Sequence, residues 1–281
     1  MKRLLIAFFA GLLLVFSCTG NKTSQSVDGL SDSTAIDSLE AVEQIDTMEL
    51  LITETPMPRA ADAMFDDFLF NFLANKKLQK ERIVFPLKLI EGEKTEQMEK
   101  SRWKMEHLFM RQGFYTLLFN NDQQMSLMKD TAVSEATVER ILLRKNQVKA
   151  YHFLRIKGAW MLTEVTTTPM KENVNASFLS FYKQFVSDSL FQLKSLNETV
   201  SFVGPDPDDE FNVMEGVITA ETWEAFAPKL PAKSIYNIVY GKPEPEGDTK
   251  IFLLRGVANG LEMELRFKKT AGKWLLMKLS T

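Results

Sequence analysis

Phe65, Phe68 and Phe72 stand at i, i+3 and i+7, and the same pattern returns 113 positions later as Phe178, Phe181 and Phe185. On an α-helix this spacing puts three rings on one face. Leu69 and Leu73 widen the face in the first copy, Tyr182 and Val186 in the second. A chain with this feature must bury it twice. Other matches follow in the same order: Phe114–Phe119 with Ile235–Tyr240, Leu142-Leu143-Arg144 with Leu253-Leu254-Arg255, Leu154-Arg155-Ile156-Lys157 with Leu265-Arg266-Phe267-Lys268, and Gly158-Ala159-Trp160 with Gly272-Lys273-Trp274. The offset stays between 111 and 121. A period this long is not that of a solenoid. It fits two domains of ordinary size made by duplication, which we place at residues 59–170 and 171–281.

The start of the chain reads as an address. Lys2 and Arg3 precede an apolar run from Leu4 to Phe16, too short to span a bilayer comfortably but suited to a signal peptide, residues 1–17. The run ends Val15-Phe16-Ser17-Cys18, which resembles the lipobox of bacterial lipoproteins. That resemblance implies lipidation of Cys18 and cleavage before it. Several acyl chains hold firmly, since each buried CH₂ contributes about 0.8 kcal/mol. Cys18 is the sole Cys, so no disulfide forms within one chain and no Cys-based metal site or nucleophile remains in the folded part.

Residues 18–58 read as a flexible acidic tether. From residue 19 they hold eight acids against Lys22, net −7, and too little apolar area to offset the entropy of ordering. Asp32-Ser33-Thr34, Asp37-Ser38-Leu39 and Asp46-Thr47-Met48 resemble O-glycan acceptors of exported Bacteroidetes proteins, although plain tether composition produces them equally well. Residues 59–170 carry 18 basic and 14 acidic residues, and 171–281 carry 13 and 15. Neither half has the basic excess of a nucleic-acid binder, so no nucleic-acid partner is expected.

In the first repeat the pattern predicts a helix from about Asp62 to Gln79, a short strand near Arg82–Leu87, a second helix from Thr95 to Arg111 stopped by Gly113, and then strands at 115–119, 138–143, 148–157 and 160–167. In the second it predicts a helix from Phe178 to Leu193 capped by Asn175 or Ser177, a strand at Val200–Val203 and a Pro-rich acidic loop from Gly204 to Glu210. A short helix with Trp223 and Phe226 and four closing strands follow. Lipobox, acidic spacer, Phe-Asp-Asp-Phe helix, Glu81-Arg-Ile-Val-Phe-Pro-Leu87 and repeated C-terminal half together resemble uncharacterised Bacteroidetes lipoproteins grouped as domain of unknown function 4348. The resemblance covers most of residues 59–281, and its motifs are structural. It implies an α+β fold of nuclear transport factor 2-like type: two tandem cone-like domains, each with N-terminal helices packed on a curved antiparallel sheet.

Leu261–Lys268 alternates apolar and polar, so one face is buried. Carried onto the first repeat, this parity sends Ala150, His152, Leu154 and Ile156 to the core. Tyr151, Phe153, Arg155 and Lys157 then take the wet face, where two aromatics beside an Arg need a partner, either the second domain, which we favour, or a ligand. Trp103, Trp160, Trp223 and Trp274 occupy paired positions and read as packing elements, with sugar stacking the other use. His107 and His152 lack any His/carboxylate spacing for zinc; His152, expected inside the cone, is the better candidate for a general base. Asp66-Asp67 point about 100° apart on a helix, so they suit the helix dipole rather than an acid/base pair. The 206–210 loop lacks the glycine and distal Glu of an EF-hand. No phosphate loop or nucleophile elbow is present.

These readings lead to an exported, membrane-anchored lipoprotein of the cell envelope with no cofactor, no metal and no evident catalytic residue. Its ligand is expected to be a small molecule, a glycan or an envelope protein, with Tyr151, Phe153, Arg155, His152 and Trp103 as binding candidates. The alternative is a cone-site isomerase or hydrolase using His152. Thr19-Gly20-Asn21-Lys22 carries no acidic cluster of the kind associated with surface export, which favours the periplasmic side of the outer membrane.

Overall fold

The Phe triplets become two helices with the same partners. A computed structural model describes residues 57–206 and 209–281. The expected signal peptide, Cys18, and the expected tether up to residue 56 with its three tripeptides lie outside the described residues. In the first half, α1 (Phe65–Ala74) and α2 (Lys76–Glu81) precede strands β1 (Ile83–Glu91), β2 (Lys94–Met98) and β3 (Phe114–Phe119). A short α3 (Asp122–Ser126) and strands β4 (Glu135–Leu142), β5 (Gln147–Ile156) and β6 (Ala159–Pro169) follow. The second half repeats the order except that its short helix precedes its third strand: α4 (Ala176–Phe185), α5 (Ser189–Lys194), β7 (Leu196–Asp206), β8 (Asp209–Ile218), α6 (Trp223–Phe226), β9 (Ile235–Tyr240), β10 (Thr249–Gly256), β11 (Glu262–Thr270) and β12 (Lys273–Ser280).

Phe65, Phe68 and Phe72 meet Phe153 with ring centroids 5.3, 5.9 and 5.4 Å away, and Phe65 also meets Trp160 at 4.9 Å. Phe178, Phe181 and Phe185 meet Phe267 at 5.2, 5.6 and 5.5 Å, and Phe178 meets Trp274 at 5.3 Å. Each helix therefore covers its sheet with an edge-to-face aromatic cluster, the arrangement ring quadrupoles favour. Each predicted long helix is broken once, at Asn75 and at Asp188. Their side chains accept from the amides of Leu78 (2.9 Å) and Phe191 (3.0 Å) and so start a second helix.

The aromatic partners correct the strand parity. Phe153 and Phe267 are equivalent, as are Trp160 and Trp274, both pairs 114 apart (267 − 153 and 274 − 160). The Leu-Arg-x-Lys match at offset 111 is three residues out of register, and an odd slip sends every side chain to the opposite face. Tyr151 and Phe153 accordingly lie in the first core, while Leu154 and Ile156 are each 42% exposed. Both strands carry a register shift at the equivalent place, between His152 and Phe153 and between Arg266 and Phe267.

Two other elements differ from expectation. Thr95–Arg111 is not a helix: its start is β2, paired antiparallel to β1, and only single turns follow at Lys100–Arg102 and Met110–Gln112. Edge pairing and burial of Phe109 outweigh the helical spacing of Met98, Met105, Leu108 and Phe109. The segment ends as predicted at Gly113, with φ of 75°. Of the stretch expected as a loop, Gly204–Asp206 belong to β7 and Asp209 and Glu210 to β8, and these two strands pair antiparallel.

Two six-stranded sheets result, in the orders β2-β1-β6-β5-β4-β9 and β3-β10-β11-β12-β7-β8. Each is antiparallel except for one parallel pair, β1–β6 and β7–β12. The halves exchange a strand: β3 pairs with β10, and β9 pairs with β4. The reason is visible in the residues. Both strands are apolar on both faces, Phe-Tyr-Thr-Leu-Leu-Phe and Ile-Tyr-Asn-Ile-Val-Tyr, so each must lie between two cores. Tyr115, Leu117, Phe119, Tyr236, Ile238 and Tyr240 enter the first core, while Leu118 and Ile235 enter the second. Asn237 Oδ1 accepts from Leu118 N (2.8 Å), and Tyr236 N donates to Thr116 Oγ1 (3.0 Å).

A buried polar cluster accompanies the exchange. Glu139 accepts from Asn173 (2.6 Å) and Asn237 (2.9 Å), and Lys250, 2% exposed, donates to the side-chain oxygens of Asn120 and Asn175. Asn175 thus begins α4 without capping it through its side chain; Glu246 accepts from Phe178 N (2.8 Å) instead. Asp66, expected only to complement the helix dipole, accepts from the buried Tyr240 hydroxyl (2.6 Å).

Candidate functional site

The mouth of the first cone is built by one buried amide. Asn75 starts α2 in a direction that leaves Gln79 fully buried. Gln79 Oε1 accepts from the Trp103 indole N–H (3.1 Å) and from Glu106 N (3.0 Å), and its Nε2 donates to Glu106 O (2.7 Å). Trp103 and Glu106 are thereby fixed although their segment has no regular structure. Replacing Gln79 by Leu strands all three partners, so a loss of about 2–4 kcal/mol is expected. Urea unfolding checks it, and a loss below about 1 kcal/mol would show that water substitutes for the amide.

Beside this segment lies a cavity of about 420 Å³, within the usual range for small-molecule sites. Leu89, Ile90, Met98, Trp103 and Val165 supply apolar wall, and Tyr151 forms part of the floor. Its fixed polar group is Glu106, whose Oε1 accepts from the Tyr151 hydroxyl (3.0 Å) and the Lys149 ammonium (3.1 Å). Lys149 also sits 4.9 Å from the centre of the Tyr151 ring. Burial first, and then the Glu106 charge, raise the Tyr151 hydroxyl far above the usual tyrosine range, so it stays a donor. The walls suit an apolar body. The Glu106–Lys149 pair offers an acceptor and a donor side by side to a polar head.

The five binding candidates separate. Trp103 and Tyr151 line the cavity. Phe153 is core under α1. Arg155 holds the approach to α1, donating to Asp62 O, Ala63 O and Thr131 O, each at 2.7 Å, with its guanidinium 4.8 Å from the Trp160 ring centre. His152 is not inside the cone. The corrected parity puts it on the outer face, between Thr137 (3.2 Å) and Thr166 (2.9 Å), where burial depresses its pKa and the Glu164 charge opposes that. The enzyme reading through His152 loses its geometry. Gln79, Glu106 and Lys149 were missed as site residues. The signal for Gln79 was present, since Gln192 stands 113 residues later and accepts from the Trp223 indole (2.8 Å). Among the described residues no group of three or more His, Cys, Asp or Glu could hold a metal ion, and no helix is long and apolar enough to cross a membrane.

The family described as a domain of unknown function (DUF4348) matches residues 44–281. The chain belongs to this family. A crystal structure of an NTF2-like protein from Bacteroides fragilis is 40% identical in sequence, covering 80% of this chain and 98% of that one with a TM-score of 0.72. The DUF4348 chain described above therefore has the NTF2-like cone fold, with helices packed against two six-stranded sheets. None of the curated proteins matches it.

Proposed function

We propose that the protein is a non-catalytic module of the cell envelope that binds a small amphipathic molecule in the mouth of its first cone. The observation that carries this is the difference between its two halves. What the fold needs is kept in both: the Phe triplet, its Phe and Trp partners, and the Gln–Trp hydrogen bond. Four of the residues that line the cavity are not. Lys149 and Tyr151 correspond, at the 114-residue offset, to Met263 and Leu265, and Leu89 corresponds by strand register to Phe202. Glu106 is three residues after Trp103, where the second half has Phe226 after Trp223. The Phe202 and Phe226 rings meet at 5.1 Å in the position of the first-half wall. A polar group that packing did not require in one copy supports a use in the other.

The lipobox at Cys18 supports a lipid anchor, and the non-acidic residues after it support the periplasmic side of the outer membrane. Native mass spectrometry of the full-length protein, extracted from the membranes of its own host, tests both parts. The expected spectrum shows an acylated chain starting at Cys18 and a bound mass above it. Leu89→Phe with Glu106→Phe copies the second-half wall and is expected to remove the bound mass while leaving a folded protein. A ligand-free wild type, or the same adduct on the double variant, would sink the pocket reading. A soluble chain with an unmodified start would sink the anchor.

A further inference from the structure

Next to the amphiphile pocket, three adjacent strands set Lys149, Arg140 and Tyr236 side by side. Arg140 is in register with Lys149 across β4–β5 and with Tyr236 across β4–β9. Like charges at directly opposed positions repel. Glu106 relieves Lys149. Nothing relieves Arg140: among the described residues its guanidinium has no hydrogen bond or ion pair, and its Nε is closed off from solvent without an acceptor. A stranded donor of this kind costs about 1–3 kcal/mol, and more on a charged group. Such groups in a native fold call for a specific explanation.

Arg140 lines a second cleft of about 350 Å³, with Glu106, His107 and Arg111 on one side and Ser234 and Tyr236 on the other. The cleft lies where the halves meet, because Ser234 and Tyr236 belong to the exchanged strand β9 and its approach. Glu106 is the one carboxylate on its lining, and Glu106 Oε1 already accepts from Lys149 and Tyr151. The hydroxyls of Ser234 and Tyr236 and the guanidinium of Arg111 have no hydrogen-bond partner among the described residues. Two guanidinium groups and two hydroxyl donors therefore face one space whose single lining carboxylate, Glu106, is shared with Lys149 and Tyr151. Arg in particular matches the two oxygens of a carboxylate or phosphate.

We propose that this cleft is a binding site for a small oxyanion, a carboxylate or a phosphate, held by Arg140 and Arg111 with the Ser234 and Tyr236 hydroxyls donating. Burial raises the Tyr236 pKa, so that hydroxyl remains a donor at neutral pH. The site is distinct from the amphiphile pocket: Glu106 lines both and stands between them. It does not depend on that pocket being occupied.

Calorimetric titration of the full-length protein with inorganic phosphate, and separately with succinate, tests the site at constant ionic strength held with chloride. Saturable binding of at least one anion is expected, and the tighter of the two identifies the oxyanion class. Arg140→Gln is expected to weaken it about tenfold or more, and Ser234→Ala by a smaller factor. If Arg140→Gln does not fold, the exposed Arg111→Gln carries the test, with an expected loss of about threefold or more. No saturable binding of either anion up to about 10 mM, or wild-type affinity in whichever Arg variant is folded, would overturn the proposal.

Discussion

Phe153→Ala is expected to lower the stability of the whole molecule by about 4 kcal/mol, in one transition that takes both halves with it. Phe153 is 1% exposed and stands at the centre of the first aromatic cluster, with Phe65, Phe68 and Phe72 all within 6 Å. Truncation removes its buried area and leaves a cavity that three helix-borne rings cannot easily collapse into. The sharing of the loss follows from the strand exchange. β9 closes the first sheet and β3 closes the second, so neither core is complete without a strand from the other half. Urea unfolding followed by tryptophan fluorescence and by far-UV circular dichroism should give coincident curves for wild type and variant. Phe267→Ala, the equivalent change in the second half, should cost a similar amount. Two separated transitions would mean that the exchanged strands do not couple the cores.

Lys250 carries the second large effect. Its ammonium is buried between Asn120 and Asn175, and the Glu246 and Glu139 charges offset only part of the desolvation. Lys250→Ala leaves the Asn175 oxygen unpaired and the Asn120 oxygen with only a 3.5 Å bond from Gly247 N, beside a cavity, and is expected to cost about 3–5 kcal/mol. Lys250→Met fills the space but leaves the same oxygens without their ammonium donor, so it should cost less than Lys250→Ala by the cavity contribution alone. The pH dependence is equally specific. Burial holds the Lys250 pKa down to about 8, against 10.5 for an unperturbed lysine. Between those values Lys250 binds more protons in the unfolded chain than in the folded one, so its contribution to stability rises with pH across that window, by about 3 kcal/mol in full. Above about pH 9 the trend reverses, because the unfolded chain releases tyrosine protons that Tyr115, Tyr151, Tyr182, Tyr236 and Tyr240 retain by burial in the fold. Urea midpoints from pH 7 to 11 are expected to peak near pH 9 in wild type. In Lys250→Met the rise should be missing; a rise of the same size there would assign it to another group.

The candidate site shows where local pattern stops being informative. Trp103 was recognisable because the duplication pairs it with Trp223 and both need a partner for the indole N–H. Tyr151 was singled out for the wrong reason. A three-residue slip placed it on a wet face, whereas it lies in the core with its hydroxyl reaching the cavity. The same slip put His152 inside the cone. The Leu-Arg-x-Lys match at offset 111 is a compact local run, whereas the identities at 114 are scattered, and ring packing on the helix, which is tertiary, decides the register. Glu106 had no local mark at all: it is one of 14 acids in its half, and only the backbone held by Gln79 sets it against Tyr151 and Lys149.

The amino-acid sequence by itself determined the duplication, the two Phe-faced helices, the α+β class and the Trp positions. These rest on spacing along a single element, where periods of 3.6 and 2 translate directly into faces. Tertiary structure alone decided three things: that β3 and β9 change places, that Lys250 and Glu139 are buried with Asn partners, and that one cone mouth stays polar while the other is walled by Phe202 and Phe226. The first joins residues 94 to 142 apart in sequence, the second residues 34 to 130 apart and the third two rings 24 apart, all beyond the reach of a local period. An apolar strand states that both its faces must be covered, but not by which half of the chain.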